Sequence, residues 1–111
     1  GITAGYPYAK ELMDNPKVSL VVGPNDVSNL QKLSMGRIDV FVVEEKTGLA
    51  ALKEAGVDNV EYPADSPISR QNVYVAFQPT EVGADLAAKF SKALLEMQQD
   101  GSFGTIMQKA Q

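Results

Sequence analysis

Residues 38–43, "IDVFVV", are apolar at every position except Asp39. A strand with one wet face alternates apolar with polar residues. A nearly unbroken apolar run instead points to a strand covered on both faces, the habit of parallel sheets between helical layers. Its flanks agree. Gly36 stands where a helix ends in a left-handed turn, and Glu44-Glu45 lead directly into a helix over Glu45–Ala55, with Leu49 and Leu52 inside and Gly56 at its end.

The remaining segments extend this alternation. Residues 2–4 read as a short strand turned by Gly5. Residues 7–14 read as a short helix, with Pro7 in the first turn, where its missing N–H costs nothing, and Asn15-Pro16 as its stop. "VSLVV" at 18–22 is a strand. Asn25 or Asp26 then caps a helix striped with Val27, Leu30 and Leu33. A short strand at 60–62, a proline-bearing loop at 63–71 and a strand at 73–77 follow. The chain closes with a long helix carrying Val82, Leu86, Phe90, Leu94 and Met97 on one face, and a last short helix around Phe103, Ile106 and Met107. The order predicts an α/β fold: a mainly parallel three-layer lobe with right-handed crossovers, whose last strand arrives after a long loop and is expected to run antiparallel, followed by two C-terminal helices. Residues 1–79 are assigned to the lobe and 80–111 to the helical segment. Met13, Met35, Met97 and Met107 are expected as core filler. Arg37 and Asp39 are expected as a local ion pair.

The chemistry open to this chain is narrow. There is no Cys and no His, which removes thiol nucleophiles, Ser-His-Asp triads, disulfides and the common soft or borderline metal sites. No cofactor is expected. The net charge of −4 without a basic cluster argues against nucleic-acid binding, and no apolar run approaches a membrane span. Carboxylates, Lys, Tyr and backbone dipoles remain.

Open α/β sheets bind ligands outside the carboxyl ends of their strands. Two places reach that edge. Gly5, Tyr6, Pro7 and Tyr8 form the turn between the first strand and its helix. Its backbone N–H groups can receive a carboxylate or phosphate, and the two tyrosines add stacking area and hydroxyls, although Pro7 removes one donor. The same turn also reads as a plain connection with aromatic packing. Glu44 ends the apolar strand, where a carboxylate can pair with an ammonium; Glu45 reads as an acid favoured by the helix dipole. Together the two places suit a zwitterion such as an amino acid.

Three blocks carry a resemblance: "GITAGYPYAKEL" from Gly1, "NLQKLSMGRIDVFVVEE" from Asn29, and "NVYVAFQPTEVGADLAAKFSKALLEMQQDGSFGTIMQKAQ" from Asn72. In this order they resemble the second lobe and C-terminal end of the family 3 extracellular solute-binding proteins, periplasmic-binding-protein-like receptors that deliver amino acids and related solutes to ABC importers. The resemblance implies a non-enzymatic, periplasmic or extracellular protein whose partners are a small polar solute and the importer's membrane subunits. It implies that Gly5, Tyr6, Pro7 and Tyr8 hold the solute's carboxylate and Glu44 its ammonium. Tyr6-Pro7 stands where small hydroxyl residues are usual, and Glu44 where Asp is commonest, so the pocket differs in shape. "GITAG" reads as a strand already under way, and the first lobe is expected to precede it in a longer chain. Without that lobe, Leu86, Phe90 and Met97 are expected to stay uncovered and to drive self-association through the C-terminal helices. Two rivals use the same lobe pair: a ligand-sensing domain of a membrane-bound kinase or transcription regulator, and a dehydratase-type enzyme with Glu44 as acid or base.

Overall fold

The computed structural model describes residues 1–110. Its elements are β1 (Ile2–Thr3), α1 (Lys10–Met13), β2 (Val22–Gly23), α2 (Asp26–Ser34), α3 (Glu45–Ala55), α4 (Glu81–Asp100) and α5 (Ser102–Lys109). They fall into two compact units, Gly1–Arg70 and Gln71–Gln111. The fold is mixed α/β and mainly helical, with a two-stranded parallel sheet.

β1 and β2 pair in parallel with Ile2 opposite Val22 and Thr3 opposite Gly23. The Ile2 and Ala4 N–H groups donate to Val21 and Gly23 carbonyls at 2.9 and 3.0 Å. In a parallel ladder alternate residues face alternate neighbours, so Gly1 and Thr3 look the other way. Gly1 meets residues 40–42 there: its nitrogen donates to the Val40 carbonyl, and Val42 N–H donates to the Gly1 carbonyl at 3.0 Å. Those two bonds make one parallel rung, with Phe41 opposite Gly1. The next rung would take Thr3 N–H to Val42. Tyr8 takes it instead: its hydroxyl accepts from Thr3 N–H at 2.6 Å and donates back to the Thr3 carbonyl at 3.3 Å. The apolar run 38–43 is thus held to the sheet by a single rung and forms no extended strand.

Several expectations change accordingly. Residues 38–43 are not covered on both faces: Ile38 is buried, Phe41, Val42 and Val43 are half-buried, and Val40 is 60% exposed. Residues 18–22 contribute only their last residue to a strand, and 60–62 and 73–77 form none. The sheet carries one helical layer, because among the described residues only α2 packs on β1 and β2, while α3 packs on α2. Among the described residues these contacts do not show a full three-layer lobe. The short helix begins at Lys10 rather than Pro7, since Gly5 is left-handed (φ 85°) and Ala9, at its start, offers no side-chain cap. Met13 and Met35 are exposed rather than core, and so is Leu49; Gly48 and Ala51 are the buried residues of α3. Arg37 and Asp39 form no ion pair among the described residues.

The helices end as the sequence indicates. Asn25 caps α2 by accepting from Ser28 N–H at 2.8 Å. Beyond Met35, Gly36 (φ 68°) donates to Leu33 and Arg37 to Lys32, the paired bonds of a Schellman motif. The loop after α3 is tied to α2 by reciprocal Ser34–Asn59 bonds.

What fastens α2 to the sheet is polar. Asn29, fully buried, donates through Nδ2 to the Ile2 carbonyl (3.1 Å) and to Thr3 Oγ1 (3.0 Å); Thr3 in turn donates to Asp26 Oδ1 (2.6 Å). Its Oδ1 has no partner and lies over Gly23, where a Cβ would collide with the whole amide group. Ile2, Leu30, Ile38 and Ala51 make the small apolar core around it.

In the second unit Thr80 caps α4, accepting from Gly83 N–H at 3.0 Å, and α4 packs on α5. Phe77 and Phe90 meet with ring centroids 5.8 Å apart and planes tilted by 59°, a favourable edge-on geometry.

Two outcomes follow. Asn29→Ala should cost about 1–3 kcal/mol in urea unfolding, the penalty for stripping partners from buried polar groups. Gly23→Ala should be destabilising too, and the double variant should lose less than the two single losses added, because removing the amide makes room for the methyl. Arg70 is exposed at the last position of the first unit, within a segment lacking helix or strand. Limited trypsin digestion should therefore cut first after Arg70, read by intact-mass spectrometry; first cuts within α2 or α4 would contradict the division.

Candidate functional site

Strands running in parallel release their chains at the same end. With Phe41 opposite Gly1, three residues further along place Glu44 level with Ala4. Gly5, Tyr6, Pro7 and Tyr8 therefore leave the sheet at the end where Glu44 leaves residues 38–43. Pro24 and Asn25 leave β2 at that end as well. The Tyr8 hydroxyl sits on the β1 edge that faces residues 40–42.

The individual side chains are largely engaged. Tyr8 is half-buried and its hydroxyl is spent on Thr3, so it organises the rim rather than offering a free donor. Tyr6 is exposed, and Gly5 is exposed in its left-handed turn. Since α1 has four residues and begins at Lys10, the turn is not the N-terminus of a substantial helix, and the expected dipole is lacking there.

Glu44 is the N-cap of α3. Its Oε1 accepts from Lys46 N–H (3.1 Å) and its Oε2 from Thr47 N–H (2.8 Å) and Thr47 Oγ1 (2.7 Å). The Thr47 bonds, backbone first, hold its carboxyl below the usual glutamate range, with smaller help from Lys46 and against a slight burial penalty. A carboxylate has about four acceptor positions, so one stays free for an incoming donor. Glu45 occupies the first turn of α3, as the sequence indicates.

Thr3 and Asn29 went unmarked in the sequence, and Asp26 was marked only as an alternative cap for α2; together the three tie α2 to β1. Their one visible signal is a polar Asn29 between Leu30 and the half-buried Val27 of an amphipathic helix. Neither of two cavities, of about 600 and 570 Å³, is lined by Gly5, Tyr6, Pro7, Tyr8 or Glu44. The larger is an open groove between α2 and α3, bordered by Asp26, Gln31, Thr47 and Glu54. The rim itself is an uncovered surface. Among the described residues no group of three acidic side chains is spaced for a metal, and no helix is long and apolar enough to cross a membrane.

No family model, curated protein or solved structure matches the chain significantly.

Glu44 yields a pH prediction. A carboxyl whose folded pKa is depressed adds stability above its unfolded value, and that stability fades as pH falls through the folded one. The fade should begin near the ordinary 4.5 and continue below it. Glu44→Gln should flatten this part of the stability–pH curve. Because the side chain is exposed and screened, the loss at neutral pH should stay below about 1 kcal/mol; chemical denaturation at stepped pH values measures both.

Proposed function

We propose that the chain is one solute-binding lobe, the substrate-binding part of an ABC importer for amino acids or related small polar solutes, working in the periplasm or outside the cell. The observation that carries the reading is the shared rim. Gly5, Tyr6, Pro7 and Tyr8 lie at one strand end and Glu44 at the parallel neighbouring end, level with Ala4. Free N–H groups of the turn would receive a carboxylate, and the open acceptor position of Glu44 would receive an ammonium. The solute's opposite charges would then be read by two backbone segments whose separation is fixed by a parallel rung. In this role the protein performs no bond chemistry; its partners are the solute and the importer's membrane subunits, which would take the solute from the cleft once a facing lobe has released it.

A single uncovered wall desolvates a ligand poorly, and charge pairs open to water are weak. The chain alone should therefore bind no more tightly than about 1 mM, near −4 kcal/mol. Backbone amide NMR during titration with a panel of amino acids tests this. The expected shifts fall on the amides of Gly5, Tyr6, Tyr8 and Glu44 through Thr47, and are reduced in Glu44→Gln. Shifts centred on the groove between α2 and α3, or none near saturation of the solutes, would sink the reading.

A further inference from the structure

Residues 73–77, "VYVAF", combine three properties. Their composition is that of a strand, rich in β-branched and aromatic residues. Among the described residues their main chain makes no backbone hydrogen bond. And they are open: Val73 is 95%, Tyr74 81% and Val75 59% exposed. An unpaired, exposed segment of strand-forming composition is a template for another strand.

The pattern says which strand. Two identical strands pairing antiparallel across a two-fold axis keep each residue on its own face, so position i meets 150 − i when the axis passes at Val75. Val75 then meets Val75 of the second copy, Val73 meets Phe77, and Phe77 meets Val73. One face of the joined pair is wholly apolar. The other carries Asn72, Tyr74, Ala76 and Gln78. No charged residue stands between Arg70 and Glu81, so no like charges collide anywhere in the pairing. The apolar face is the one already turned to α4: Phe77 packs on Phe90, and Val75 and Phe77 border the cavity of about 570 Å³ beside Ala84 and Ala87. In this register Val73 of the second copy, opposite Phe77, arrives beside that cavity.

Area supports the need for a cover. The chain exposes 8952 Å², whereas two separate compact bodies of its units' lengths would together expose about 7,100 Å² by the scaling of folded monomers. That surplus belongs to the whole chain, and Val73 and Tyr74 are the most exposed of its large apolar residues. Among the described residues of the second unit, Gly83 is the one buried helix residue.

We propose that residues 73–77 form an antiparallel β-pair with the same residues of a second copy of this chain, centred on Val75, making a two-fold dimer. The proposal stands apart from solute binding and uses none of the rim residues.

The absence of cysteine gives a direct test. Opposed residues of an antiparallel pair have Cα atoms about 4.5–5.5 Å apart, within disulfide reach. Val75→Cys in the full chain should cross-link to a covalent dimer soon after oxidant is added. Val73→Cys alone should cross-link several-fold more slowly, because Phe77 faces it. A mixture of Val73→Cys and Phe77→Cys chains should give the mixed dimer. The unmodified chain should approach twice 11.9 kDa in light scattering as concentration rises, and Val75→Lys should return it to one mass with its helical circular dichroism retained. A single-chain mass at every concentration overturns the proposal. So does equal cross-linking of Val73→Cys and Val75→Cys, or a dimer that survives Val75→Lys, which would assign association to another surface such as the α4 stripe.

Discussion

The first unit depends on one side chain, the Asn29 amide. Two strands of two residues cannot hold a helix by apolar burial alone, since so short a sheet offers little surface. Asn29 reaches from the middle of α2 to the Ile2 carbonyl and the Thr3 hydroxyl. That hydroxyl in turn donates a hydrogen bond to Asp26, one turn earlier in α2. The helix is thereby bonded to β1 at two of its turns. A buried, nearly satisfied polar network fixes one arrangement more sharply than apolar contact does, because any slip strands donors without partners. Here it fixes which part of α2 lies over Thr3, and through Thr3 it fixes β1. The unpaired Asn29 Oδ1 marks where the fit is tightest, against the bare backbone of Gly23.

β1 is consequently the hub of three connections. Its even residues bond to β2, Gly1 bonds to residues 40–42, and Thr3 bonds to Tyr8. The Tyr8 hydroxyl ends the ladder toward residues 40–42 by taking the donor that a second rung would need. One phenol thus sets where the sheet stops and the rim begins. It does so at the cost of a second rung to residues 38–43.

Local signals were legible in the sequence. α2 and α3 stand close to where a cap and glycines put them, because an Asn25 cap and a Gly36 or Gly56 turn act within a few residues of themselves. Strands were read less well. An apolar run shows that a segment is able to pair, but pairing requires a partner edge, and Gly1 offers residues 38–43 a single rung. Residues 73–77 have no partner among the described residues and stay unpaired. The candidate rim was legible only as topology: parallel order brings strand ends together, and that argument needs no side chain. What those side chains do was not legible. Glu44 spacing to Thr47 is that of a capping acid as much as of a ligand-binding one, and the bond of Tyr8 to Thr3 depends on a turn whose path Gly5 alone decides. Asn29 was hidden because hydrogen bonds from a helix to a strand 27 residues away leave no periodic trace.

The capping role of Glu44 also sets a limit on what the rim can attract. The N-terminus of α3 carries about half a positive charge, which the carboxylate already faces. Seen from solvent, Glu44 with its helix end amounts to about half a negative charge rather than a full one. Glu45, in the first turn, restores a net negative field at short range, so an ammonium is still drawn toward this corner. The attraction is then shared between two acids, one of them held by Lys46 and Thr47 amides and the other exposed at the surface. A cation bound here would compete with the helix for the same oxygens. It could win decisively only where water is excluded and its bond to Glu44 strengthens more than the cap does, as it would beneath a second wall closing over the rim.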